Sequence, residues 1–63
     1  MGEIVKKLRE AKGWSQEQLA EKAGISRVAI SLIETGKTRE VLTGTVKALA
    51  RALEVSVDEL FFG

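Results

Sequence analysis

The chain has 63 residues, ten of them basic and nine acidic, for a net charge of +1. This length supports one small domain, able to bury about 60% of its unfolded surface, with no room for a deep substrate pocket. The absence of Cys and His excludes disulfides, zinc-finger chemistry and histidine acid–base catalysis.

No apolar run approaches the ~20 residues needed to span a bilayer. The opening MGEIVKKLRE lacks the apolar middle of a secretion signal. A cytoplasmic protein without a membrane partner is expected, and the lack of Cys fits that compartment. The small net charge conceals an uneven distribution. Residues 1–39 carry eight basic and five acidic side chains, whereas residues 40–63 carry two and four. The first part is therefore the one suited to a polyanion.

Ile4, Val5, Leu8 and Ala11 recur at helical spacing and predict a first helix over about residues 2–12. Gly13 is its expected stop. Ser15 and Gln18 have the spacing of a capping box, which opens a second helix that ends at Gly24. Ser26 is the expected cap of a third helix, running to about Thr35 before Gly36. Residues 36–42 form a polar connection without Pro. Val46, Leu49, Ala50 and Leu53 mark a fourth helix from near Thr43. Ser56 with Glu59 predicts a second capping box, opening a short fifth helix that carries Leu60, Phe61 and Phe62. No segment has the period of a strand. The expectation is an all-α, five-helix single domain over residues 1–63.

Residues 16–35, QEQLAEKAGISRVAISLIET, have the spacing of a helix-turn-helix. Leu19, Ala23, Ile25, Ile30 and Ile33 fall at inward places, Ala20 is the small residue at a close helix crossing, and Gly24 sits in the turn. Two short helices meeting at a wide angle need this combination.

The segments LREAKGWSQEQLAEKAGIS, ISLIETGK and ALARALEVSVDELF together resemble the Cro/phage-repressor type of helix-turn-helix domain, also called Xre or lambda-repressor-like. Members are mostly bacterial and phage transcriptional regulators that bind operators as dimers, and the resemblance implies the same here. Three positions depart from the family pattern. The connection after Gly36 lacks the usual Pro, Glu54 stands where Gly is usual, and Leu32 occupies an outward place that is more often polar.

With Ile30 and Ile33 inward, the outward stripe of the third helix is Ser26, Arg27, Val28, Ser31, Leu32 and Thr35. The resemblance implies base-edge contacts at these positions. Arg27 suits a bidentate bond to guanine, and Ser31 can donate or accept. Val28 and Leu32 make an apolar strip that suits thymine methyls or, equally, a protein partner. Gln16 lies at a helix N-terminus, a place that favours anions, and the family uses it for a phosphate. Lys37, Thr38 and Arg39, then Thr43, Gly44 and Thr45, suit contact with a DNA backbone. Arg9 and Glu34 border the apolar stripes of the first and third helices, and the resemblance implies a structural ion pair between them. Leu60, Phe61 and Phe62 are consecutive on a short helix and cannot share one buried face. Leu60 is therefore expected in the core, with at least one of Phe61 and Phe62 exposed for a symmetric homodimer contact.

Two functions fit: a sequence-specific, double-stranded-DNA-binding transcriptional regulator acting as a dimer, or a protein-interaction module of the same fold, such as an antitoxin or adaptor, using the Val28/Leu32 strip. An enzyme is not expected. Asp58 and Glu59 diverge as neighbours on a helix, and no phosphate loop, metal cluster or activated nucleophile appears. No cofactor, metal or small-molecule substrate is implied.

Overall fold

A computed structural model describes residues 1–38 and 42–62. Among these the chain forms five helices and no strand: α1 (Gly2–Ala11), α2 (Gln16–Ala23), α3 (Arg27–Glu34), α4 (Thr43–Leu53) and α5 (Val57–Phe62). The expected element order and all-α class hold, with α1 ending one residue early.

Side chains set most of the helix starts. The Ser15 side chain accepts the Gln18 N–H at 3.1 Å, and the Gln18 side chain accepts the Ser15 N–H at 2.8 Å, completing the predicted box. Ser26 caps α3 by accepting the Ala29 N–H at 3.1 Å. The second predicted box is only half built. Ser56 Oγ accepts the Glu59 N–H at 3.2 Å, but the Glu59 carboxylate meets the Ser56 hydroxyl, at 3.5 Å, instead of its backbone N–H.

Four helices end in one way. The chain turns left-handed at Gly13, Gly24, Gly36 and Glu54. In each case the next N–H reaches back five residues, as from Trp14 to Arg9 O (3.1 Å) and from Val55 to Ala50 O (2.9 Å). This is the Schellman ending, which satisfies carbonyls that a helix otherwise leaves open.

One apolar core joins every helix: Val5 of α1, Leu19 and Ala20 of α2, Ile30 and Ile33 of α3, Val46, Leu49, Ala50 and Leu53 of α4, and Leu60 of α5. Leu19, Ile30, Leu49, Leu53, Leu60 and Val5 are wholly buried, each worth about 1.5–3 kcal/mol relative to exposure. α2 packs against α3 and α4, while α1 bridges α3, α4 and α5. Ala23 and Ile25, both expected inward, are half-buried at the edge of this core, and Ala11 is exposed. Ala11 lies at the end of its helix, where the apolar stripe has run past the core.

Gly2 has a role that periodicity did not announce. A Cβ there would come within 3.0 Å of the Glu34 carbonyl oxygen and closer still to that of Ile33. The start of α1 is therefore seated on the end of α3, positive helix pole against negative. Among the described residues no helix is long and apolar enough to cross a membrane, and no cluster of three or more acidic side chains could hold a metal.

Candidate nucleic-acid interface

The third helix divides cleanly by its own period. Ile30, Ile33 and Glu34 are buried, which turns Arg27, Val28, Ser31 and Leu32 outward. These four line one open groove of about 190 Å³. Val28 is 68% and Leu32 39% exposed. Arg27 is exposed and forms no ion pair among the described residues.

The remaining members of the stripe are committed to the backbone. Ser26 spends its oxygen on the α3 cap, as above. Thr35 is exposed, but its hydroxyl donates to the Ser31 carbonyl at 2.8 Å, leaving only its lone pairs for a ligand.

The orientation of this face is held from beneath by a polar network. Arg9 Nε donates to Glu34 Oε2 at 2.7 Å and Nη2 to Oε1 at 3.1 Å, a two-bonded pair between α1 and α3. Both residues are about nine-tenths buried. Arg9 Nη1 also donates to the Trp14 carbonyl at 2.6 Å, and Gln16 Nε2 donates to Glu34 Oε1 at 3.1 Å. The Glu34 hydrogen bonds raise the Arg9 pKa above its ordinary value, outweighing the opposing effect of burial. A raised pKa keeps the guanidinium charged as pH rises through the normal range. Among the described residues no buried side-chain N or O lacks a partner, so the network is fully satisfied and rigid.

Gln16 was expected at a phosphate. It is half-buried and its amide spans to Glu34, with only part of its hydrogen-bonding capacity left facing outward. The sequence pattern did not reveal this bond, because it joins positions 18 residues apart on different helices.

The flanking backbone candidates divide. Lys37 is exposed and Thr38 half-buried, while Arg39 lies outside the described residues. Thr43, Gly44 and Thr45 form the first turn of α4, whose N-cap, Leu42, supplies no side-chain acceptor. The opening N–H groups of α4 thus remain available to an anion. Nothing lies within 4 Å of where a Gly44 Cβ would stand, so a strand of phosphates can approach closely there.

On another part of the surface, Phe61 is 49% and Phe62 86% exposed beside the wholly buried Leu60. Their ring centroids are 6.2 Å apart. Phe61 borders an open groove with Thr43, Val46, Lys47 and Val57.

Comparison with known proteins agrees with this geometry. The family model described as Helix-turn-helix matches residues 5–60. The control protein C.SmaI of Serratia marcescens is 42% identical over 60 residues, covering 95% of this chain and 70% of that protein. The HTH-type transcriptional repressor RghR of Bacillus subtilis is 38% identical over 61 residues, 97% of this chain but only 45% of the repressor. The biofilm master regulator SinR, in a crystal structure with DNA, superimposes with a TM-score of 0.89 at 33% identity, covering 95% of this chain and 98% of that one. The chain belongs to the helix-turn-helix family, and its domain is of the DNA-binding type found in transcriptional regulators. It spans less than half the length of RghR.

Proposed function

We propose that residues 1–63 act as one unit that regulates transcription as a homodimer, each copy laying α3 in the major groove of a two-fold operator. The observation that carries this reading is the outward face of α3. An unpaired guanidinium, a hydroxyl and two aliphatic side chains share one groove there, and these are the chemistries with which a major-groove helix distinguishes base pairs. Arg27 reads guanine, Val28 and Leu32 meet apolar base edges, and Ser26, Ser31 and Thr35 complete the stripe. Gln16, Lys37, Thr38, Arg39 and the Thr43–Gly44–Thr45 turn hold the phosphates on either side. Such a regulator works in the compartment that contains its operator, the cytoplasm of a bacterial cell.

Homodimerisation draws support from the exposed Phe61 and Phe62, which give the acidic part of the chain an apolar surface suited to a second copy. The Cα dimensions of one copy, 22 × 21 × 18 Å, are compatible with two recognition helices one DNA turn apart, ~34 Å.

Selection of duplexes from a random pool tests the reading. A shared sequence should emerge, and Arg27→Ala should relax it at one base pair with a loss of about 1–3 kcal/mol. Lys37→Ala should weaken all duplexes alike and flatten the salt dependence by about one phosphate. Unchanged base preferences in the Arg27 variant would remove it from direct readout.

A further inference from the structure

We propose that the groove on α3 recognises the C5-methyl group of a pyrimidine adjacent to a guanine, so that 5-methylated pyrimidines are bound in preference to bare ones. This rests on the reading of α3 as the major-groove helix.

The four groove residues form two rows, each spaced by one helical turn. Arg27 and Ser31 make a polar row; Val28 and Leu32 make an apolar row beside it, and both line the same groove. Neither the Arg27 guanidinium nor the Ser31 hydroxyl has a partner among the described residues. Successive bases on one strand are about 3.4 Å apart. A guanidinium bonded to guanine O6 and N7 therefore leaves the adjacent apolar row against the C5 edge of the neighbouring base. Thymine presents a methyl and the O4 acceptor there, and cytosine presents the N4 donor. Ser31 can donate to O4 or accept from N4, so its hydroxyl does not separate the two pyrimidines. The methyl group is left as the distinguishing feature, and Val28 and Leu32 are the side chains that gain by burying it. The unpaired cation in the groove, and the basic balance of residues 1–39, favour a polyanion as the occupant over an apolar protein surface.

Thymine and 5-methylcytosine both supply this methyl, and the experiment separates them. The best duplex from a random pool is resynthesised with uracil replacing each thymine in turn. At the position most sensitive to uracil, a cytosine–guanine pair and a 5-methylcytosine–guanine pair are then compared. One or two positions beside the guanine required by Arg27 should lose about fourfold in affinity with uracil, the value of one buried methyl. Cytosine should bind more weakly than thymine there, with 5-methylcytosine recovering most of the difference. Val28→Ser and Leu32→Asn should erase these differences while helicity by circular dichroism is unchanged, since both side chains are exposed. Equal binding of thymine and uracil at every position overturns the proposal while leaving DNA binding intact. If no duplex is enriched at all, the reading of α3 as a sequence-reading major-groove helix falls, and the proposal falls with it.

Discussion

The first three helices and the last two are held together by different physics. Between α1, α2 and α3 run the directional bonds: Arg9 to Glu34, Gln16 to Glu34 and Arg9 to the carbonyl of Trp14. The fourth and fifth helices join the domain through apolar packing of Val46, Leu49, Ala50, Leu53 and Leu60. Among the described residues the ion pair that reaches them is exposed, between Lys12 and Glu54 at 3.4 Å. Apolar packing is not directional, whereas a two-bonded guanidinium–carboxylate pair fixes angle as well as distance. The network lies under the face proposed to keep register with base edges. The surface proposed for self-association, which needs area more than angle, lies on the apolar side.

The largest effect should come from breaking that network. Glu34→Ala leaves the Arg9 guanidinium buried with only the Trp14 carbonyl as acceptor, at an expected cost of about 3–5 kcal/mol. A small domain holds only several kcal/mol in total, so a substantial fraction of the variant should be unfolded at 25 °C. Urea unfolding, followed by helicity and by the fluorescence of Trp14, measures this. A midpoint indistinguishable from the parent would mean that the first three helices are held by apolar packing as the last two are.

What was legible in the sequence follows from range. Caps and stops depend on residues three to five apart, so Ser15, Ser26, Gly13, Gly24 and Gly36 mark their helices without reference to any tertiary contact. Inward places of α3 followed from period, which also delivered the outward groove. The bond from Gln16 to Glu34 and the seating of Gly2 on the end of α3 were not legible. Each depends on how two helices cross, and no local pattern encodes that. The Arg9–Glu34 pair was legible only through family likeness. Ser56–Glu59 shows the limit of motif reading, since the spacing was right and the carboxylate chose the hydroxyl.

The apolar side yields an intermediate effect. Burying an aromatic ring is worth about 1.5–3 kcal/mol, so Phe62→Ser should weaken association of two copies tenfold or more. Phe62 is 86% exposed, and monomer stability should therefore change by no more than about 0.5 kcal/mol. Phe61 is half-covered beside Val46 and Val57, and Phe61→Ser should lower both. Sedimentation with and without a palindromic duplex separates the two quantities. A parent that stays monomeric even on the duplex would remove the dimer role from this helix.

The smallest effect has the opposite sign, and it compares the two parts at the same local structure. Gly13, Gly24 and Gly36 end the first three helices at φ of 71–73°, and Glu54 ends α4 at φ 60°, ψ 42°. A residue with a Cβ is disfavoured in this region by roughly 1–2 kcal/mol, a penalty that Gly escapes. Glu54 recovers part of it through Lys12, but its side chain is 80% exposed, and exposed pairs contribute little. Glu54→Gly should therefore stabilise the domain by up to about 1 kcal/mol, the residual pair and the greater freedom of an unfolded Gly offsetting the rest. Salt sharpens the test. Screening weakens the Lys12 pair in the parent but leaves backbone strain untouched, so the gain should grow slightly at high salt. The mirror experiment is Gly24→Ala, where no atom lies within 4 Å of the added Cβ and the loss should reflect φ alone, about 1 kcal/mol. If Glu54→Gly instead lowers the urea midpoint, the Lys12 contact outweighs the left-handed strain, and α4 is tied to α1 by charge more firmly than its exposure implies.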